Sequence, residues 1–542
     1  MRNLISVLFL ASFFIGFIPA HFLNDEIISI DDTSYISHAM TFGLDLDFDY
    51  GNEVAIFFAE NGKVPSHPYG IGVMSFPFVF VGGIIDYISA NEVLLDRTKY
   101  QYSWSFFGLL LSASFYFLFG VHLLMKTILE RYDIIKKDNK ISLLLLFSIF
   151  SSGILYYVLG RFTMSHAFEF CAVSGFIYFL HKLQNSLHNQ VINYKIVMIV
   201  FNIAIFSSLL VMTRPANIFM LAIPLILING VKPAFTYNQS TKKSENKFVF
   251  FSLCSASIGV GLILVFFFNF LLYGYVWPSA EFLYNGDMLE GKGLPSGLLN
   301  TSIMYMERIP SLLILFFSSE VGIFFTMPIL FWGVCSGVFN LFFNQMSWFS
   351  KVLYLLGGII VFSVPFAIAL LWQTTASDYN YRYLMGLIPI SVLLVSETIE
   401  IISRYNLIFK VILFCLTISF AFSFLCFLFY KSSPSLFPTP QLNAFGVFHG
   451  ASLNGYVINV IDNILELKSW IAALGKGLPS IIILPIIPEN IALDYLPKVF
   501  YENYYPRFKQ MPMIIYGQIF ILAAFWWHYM NIMKKMILIK HI

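Results

Sequence analysis

Apolar stretches long enough to cross a bilayer recur along the whole of this chain. A spanning helix needs about 20 predominantly apolar residues. Such runs fall at 4–23, 102–125, 141–159, 164–181, 196–213, 216–231, 248–272, 321–342, 352–372, 384–402, 408–430 and 512–531. Composition points the same way. Of 542 residues, 58% are hydrophobic and 11% charged, with a mean hydropathy of +0.76, whereas a soluble domain carries about 25% charged residues. The expectation is an all-α polytopic membrane protein with about twelve transmembrane helices. Residues 71–89 and 311–318 are apolar but broken by Gly and Pro or too short, and read as interfacial or re-entrant pieces. Residues 479–488 are too rich in Pro to span.

Charge orients the spans. Lys126, Arg131, Lys136, Lys137, Lys140, Lys232, Lys242, Lys243, Lys247, Lys351, Arg404, Lys410, Lys534, Lys535 and Lys540 all fall on one side. By the positive-inside rule that side is cytoplasmic. Both termini are then inside, while 24–99, 273–320 and 431–511 are outside. The chain divides into a transmembrane module over 1–430 with its first outer loop at 24–99, an outer segment over 431–511, and a last span and tail over 512–542. Run 4–23 lacks a clean cleavage site and reads as an uncleaved anchor. The expected location is the plasma membrane, with the site on the outer face. The net charge of +2 says nothing about partners, and no basic run points to nucleic acid, so no nucleic-acid partner is expected. The five cysteines lie in apolar runs and form neither a disulfide framework nor a metal-ligand spacing. No internal repeat of the inverted-transporter kind is visible.

The chemistry sits where charge meets the membrane. Asp31-Asp32 follows the first span, and carboxylates held at a membrane surface mark a functional site by default. A short surface helix is expected from Thr33 to Thr41. Either acid can cap it, or one can serve as a general base. Neighbours at a helix start point roughly 100° apart, so only one faces a given site. Asp45, Asp47, Asp49 and Glu53 follow; in an extended segment the first three share a face, as a solvated acidic loop or as a divalent-cation site. His67-Pro68-Tyr69-Gly70 punctuates the start of the next apolar stretch, and His67 suits a phosphate or an acceptor hydroxyl as well as a plain turn. Arg161 (with His166 five residues on), Arg214-Pro215 and Tyr381-Arg382-Tyr383 sit at outer span ends against the topogenic trend. An arginine fork is permanently charged and bidentate, which suits an anionic lipid or phosphate. Glu320 lies at another outer span end, where it can pair with one of them.

These residues carry a family resemblance. An acidic pair followed by a nearby Tyr (Asp31-Asp32-Thr33-Ser34-Tyr35) in the first outer loop resembles the GT-C superfamily of integral membrane glycosyltransferases. The likeness is to its polyprenol-phosphate-sugar-dependent branch, which includes the protein O-mannosyltransferases and the aminoarabinose transferases of lipid A. His67-Pro68-Tyr69-Gly70 matches that family's Pro-containing approach to an interfacial helix loosely. Arg161, Arg214 and Arg382 look like its outer arginines, and Tyr273 to Gly322 like its long loop before a late span. The chain departs from the pattern with Asp-Asp for Asp-Glu and His-Pro for Lys-Pro, and 431–511 resembles no known module.

The resemblance implies an inverting transfer of a sugar from a polyprenyl-phosphate donor to a lipid, glycan or protein acceptor on the outer face. Asp31, with Asp32, would be catalytic, and Arg382, Arg214 and Arg161 would hold the donor phosphate. Tyr35, His67, His166 and Glu320 would contact substrate. The resemblance fixes no cofactor and leaves room for a divalent cation. Two rival classes remain: a polysaccharide polymerase or ligase, with key cations in late loops, and a lipid flippase, with charges at mid-membrane such as Glu169.

Overall fold

In the computed structural model, the described residues are 30–57, 62–155, 157–158, 161–188, 194–227, 240–277, 316–317, 322–344, 346–371, 382–428 and a few between 441 and 465. They form a helical bundle. Its elements are α1 (Ile30–Met40), α2 (Gly70–Ile88), α3 (Trp104–Arg131), α4 (Asp133–Lys137), α5 (Asn139–Phe150), α6 (His166–His188), α7 (Tyr194–Thr213), α8 (Ile223–Leu227), α9 (Ser240–Tyr273), α10 (Ile323–Thr326), α11 (Pro328–Phe343), α12 (Trp348–Leu371), α13 (Ile388–Ile402) and α14 (Asn406–Leu428). Short 3-10 helices at Pro215–Ala222 and Arg382–Leu387 lead into α8 and α13. Among the described residues the β-structure is a single antiparallel pair, Gln441–Leu442 with Phe448–His449. Among the described residues seven helices are long and apolar enough to cross a membrane, and this is a multi-pass helical membrane protein. The expected spans at 4–23 and 512–531, and nearly all of 431–511, lie outside the described residues.

The glycines of 71–89 do not break the helix expected to be broken there. α2 is continuous for 19 residues despite Pro77, and it is one of the seven. Its glycines admit close backbone neighbours, as small residues do in membrane bundles. A Cβ on Gly82 would stand 2.3 Å from the Trp104 carbonyl oxygen, and one on Gly108 of α3 would stand 2.4 Å from that of Phe78. α2 and α3 therefore pack nearly backbone to backbone, and a residue pattern that reads as punctuation is a packing face.

α6 is the centre of the bundle and is not among the seven, because it carries polar groups inward. It packs on α3 and α7, with Phe117 and Phe170 ring centroids 5.3 Å apart. α1 is expected on the surface, but its residues from Asp32 to Met40 are buried. It is covered by α2 and by the turn that follows it.

The contacts define two ends. At one, Lys182 bonds Glu130 at 2.8 Å, Arg131 reaches Gln184 and the Ile134 amide donates to Glu400; the basic segment 126–140 lies here. At the other, the N-terminus of α2 meets the C-terminus of α7, where a Cβ on Gly70 would strike the Met212–Thr213 peptide. α1, the segment 161–165 and the helix at Arg382 converge at that second end.

Candidate active site

Three arginines far apart in sequence meet three carboxylates at this end, one to one. Arg382 Nη1 lies 2.8 Å from Asp31 Oδ2, and Arg214 Nη1 lies 3.5 Å from Glu169 Oε2. Arg161 Nη2 bonds Asp32 Oδ2, whose other oxygen accepts from the Thr163 hydroxyl. As expected from successive residues on a helix, Asp31 and Asp32 face different partners.

Exposure separates the pairs. The Asp32 and Arg161 side chains are 0% and 3% exposed, which makes them an internal clamp between α1 and the segment before α6. The Asp31 and Arg382 side chains are 28% and 16% exposed, and Arg214 is 14%. Asp31, Arg382 and Arg214 are thus the charged groups a ligand can reach. The expected phosphate contact by Arg161 and direct catalysis by Asp32 do not match this geometry, since each is enclosed with the other as partner.

Arg214 and Arg382 also share an aromatic ring. Their guanidinium carbons stand 4.5 and 5.2 Å from the Tyr383 centroid, and Arg382 Nη2 donates to the Tyr383 hydroxyl at 3.3 Å. Arg214 Nη1 further reaches the Arg382 carbonyl at 3.4 Å. A ring face attracts a cation, so Tyr383 lets two like charges lie side by side. Tyr383 stands in the quoted Tyr-Arg-Tyr motif, but spacing alone could not show that both forks use it.

The histidines have distinct settings. His67 Nε2 lies 3.3 Å from Asp31 Oδ1, and its ring meets Tyr35 edge-on with centroids 5.3 Å apart. His166 is buried, its Nδ1 3.2 Å from Glu169 Oε2 and its ring 4.4 Å from that of Tyr157. Burial would raise the Asp31 pKa, but the hydrogen bond and charge of His67 and the charge of Arg382 outweigh it. The carboxyl is held well below the ordinary range and stays ionised. Tyr35, enclosed and pushed upward by burial, stays a neutral phenol. Glu320 lies outside the described residues.

Sequence reasoning missed three members. Glu169 reads as an isolated mid-span acid, yet it pairs with Arg214 and His166. His38 and Tyr50 carried no motif. His38 Nδ1 lies 2.6 Å from the Tyr50 hydroxyl and Nε2 lies 2.8 Å from the His67 carbonyl. Burial is the main force holding His38 down to about 3, so its ring is neutral. Because a carbonyl only accepts, Nε2 carries the hydrogen and Nδ1 accepts from Tyr50. Of the two readings of 45–49 the extended face does not form, because the chain turns there, and Asp47 and Asp49 are exposed as in a solvated acidic loop. Asp45 bonds Arg97 and Asn52, while Asp47 and Asp49 accept from the Asp49 and Gly51 amides. Among the described residues, no three His, Cys, Asp or Glu side chains are grouped to hold a metal ion.

No protein-family model and no curated protein sequence matches this chain. Among solved structures it is similar to the archaeal oligosaccharyltransferase AglB from Archaeoglobus fulgidus, determined in complex with an inhibitory peptide and a dolichol-phosphate. That likeness has a TM-score of 0.41 at 11% identity, over 92% of this chain and 60% of the other. The chain thus spans 60% of that protein's length, and a likeness of this degree carries no argument about chemistry.

Proposed function

We propose that this protein is a membrane glycosyltransferase. It moves a sugar from a polyprenyl-phosphate donor to an acceptor hydroxyl on the outer face, inverting the anomeric carbon. The observation that carries this reading is the accessible triad of Arg382, Arg214 and Asp31: two guanidinium forks side by side, next to an ionised carboxylate. A phosphodiester donor gains negative charge on phosphate as the sugar leaves. Fixed cations at that oxygen are stronger in the transition state than in the ground state, which accelerates the step. Arg382 and Arg214 fill this role, and the acceptor is activated on the Asp31 side. Phosphate and Asp31 compete for Arg382, so donor binding frees the carboxylate for its other partner. Arg161 and Asp32 position α1.

An apolar cavity of about 530 Å³ lies between α11 and α12, lined by Gly333, Gly337, Gly358, Phe362 and Phe366 among others. α12 packs on both 3-10 helices that follow Arg214 and begin at Arg382. The cavity suits an isoprenoid tail whose phosphate lies at the arginines.

Purified protein in nanodiscs, given a defined polyprenyl-phosphate sugar and candidate acceptors, tests the reading. Expected is transfer with inverted configuration that Arg382→Ala abolishes. Lipid translocation without any glycosyl transfer would favour the flippase class instead. Wild-type turnover in Arg382→Ala would remove the arginine from the site.

A further inference from the structure

Two guanidinium forks side by side repel each other, and the carboxylates that hold them differ in kind. Arg382 is held by Asp31, whose side chain is 28% exposed, so an incoming phosphate can take its place. Arg214 is held by Glu169, whose side chain is 1% exposed, so a ligand cannot displace it from outside. Glu169 stands in the first turn of α6, where the helix dipole favours a negative charge. Its Oε2 lies 3.5 Å from Arg214 Nη1 and 3.2 Å from His166 Nδ1. Its Oε1 lies against Gly386, where a Cβ would stand 2.5 Å from it.

Gly386 belongs to the 3-10 helix Arg382–Leu387, which also carries Arg382 and Tyr383, and α6 packs on that helix. One enclosed carboxylate therefore joins α6, the end of α7 that leads into Arg214, and the helix that presents the second fork. The Arg214 guanidinium is held on three sides: by Glu169, by the Tyr383 ring 4.5 Å away and by the Arg382 carbonyl at 3.4 Å. Of these, Glu169 brings the negative charge that offsets the push of Arg382. Arg382 exchanges partners when phosphate arrives, whereas Arg214 keeps its own.

We infer that Glu169 is a positioning residue, which holds the Arg214 fork against Tyr383 in the orientation that receives a phosphate and stays paired with it throughout transfer. This rests on the glycosyl-transfer reading. Glu169 acts through Arg214 and touches neither donor nor acceptor. Arg214, its charge already balanced, supplies oriented N–H donors, and the charge offered to the ligand comes from Arg382 as it leaves Asp31.

The test uses the full chain in nanodiscs, with a polyprenyl-phosphate sugar for turnover and ¹⁵N-arginine labelling as a readout that needs no turnover. Glu169→Gln keeps the shape of the side chain and removes its charge. It should lower kcat by roughly 10²-fold, the cost of a misplaced group. Donor KM should not rise, because a negative charge near the phosphate is gone. Gly386→Ala displaces the carboxylate but leaves its charge, and it should lower kcat as well. In an Arg214→Met background neither change should cost anything further, since both act through the missing fork. Losses that multiply in that background, or wild-type kcat in both single variants, would overturn the inference. In labelled protein the Arg214 side chain, identified by its loss in Arg214→Met, should turn slowly about its Nε–Cζ bond. It should turn freely in Glu169→Gln, and in Gly386→Ala should Glu169→Gln not fold. Equal restraint in the variant and the wild type would overturn the proposal. Absence of transfer from any donor, with Arg214 released by the substitution, would instead sink the glycosyl-transfer reading and leave the positioning role standing.

Discussion

Replacing Asp31 or Asp32 by Asn removes one charge from adjacent positions, yet the two changes should fail in different ways. Asp31→Asn keeps the shape of the side chain but no longer offers a negative charge to His67 and Arg382. Transfer should fall by about 10²–10⁴-fold in a protein that melts near wild type. Asp32→Asn leaves the Arg161 guanidinium enclosed beside a neutral group, and breaking a buried pair from one side costs roughly 3–5 kcal/mol. Its thermal midpoint in detergent should drop clearly, and the folded fraction should still transfer. Equal midpoints with equal losses of rate would mean that the two carboxylates act as one unit. At the accessible end, Arg382→Lys tests the fork. A point charge satisfies either the phosphate or the Tyr383 hydroxyl but not both in the same geometry, so donor KM should rise and kcat should fall. A lysine variant with wild-type constants would show that charge alone suffices there. The acids and arginines of this site were readable one by one, because charges at span ends stand out in an apolar chain. Their pairing was not, since Asp31 and Arg382 are 351 positions apart and nothing local encodes that meeting.

The segment between α1 and α2 shows what a local pattern misses. Alternating acids at 45–49 suggest a strand face, but the carboxylates bond nearby amides and Arg97, and backbone turns offer such acids better partners than a ladder does. Glu53 is drawn into this turn with no exposure at all. Burial, reinforced by Asp45, pushes its carboxyl up to about 9, and Arg97 offsets only part of that. The folded chain therefore keeps a proton that the unfolded chain releases at an ordinary pKa of 4.5. A group raised in this way makes stability fall as pH rises from the unfolded value to the folded one. Glu53→Gln holds the neutral shape at every pH. Compared with wild type, its thermal midpoint should decline less between about pH 5 and 9, with the largest gain at the alkaline end. Parallel curves for the two proteins would show that Glu53 is ionised in the fold at neutral pH. The misreading of α2 has a related cause. Gly and Pro are breakers when a helix stands alone in water, but in a membrane bundle a glycine face permits contact with a neighbour's backbone, and that neighbour is invisible from the segment itself.

Across the whole molecule, the helical class and most span positions follow from hydrophobic run length alone, because the bilayer imposes a length that soluble folds do not. The two ends of the bundle give that plan a direction. The site occupies one end, with Arg161, Arg214 and Arg382 each matched to a carboxylate, so these cations are held by partners and not by the topogenic trend. The opposite end gathers Lys126, Arg131, Lys136, Lys137 and Lys140 on solvent-facing turns and helix ends, where a cytoplasmic surface is expected. A glycosyl donor and an acceptor outside the cell both require the first end to face outward. After the five native cysteines are replaced, single cysteines at Asp49, near the site, and at Lys137, at the basic end, report the two sides. An impermeant maleimide added to intact cells should label position 49 and leave position 137 unmodified until the membrane is opened. Position 49 is exposed and lies on the loop that carries Tyr50, whose hydroxyl holds His38. Its labelling therefore reports the side on which Asp31 and Arg382 lie. Labelling of 137 in intact cells, with 49 protected, would put the arginines on the cytoplasmic side. Transfer would then have to use an inward-facing donor, and the outer-face assignment would fall while the chemistry of the site stood.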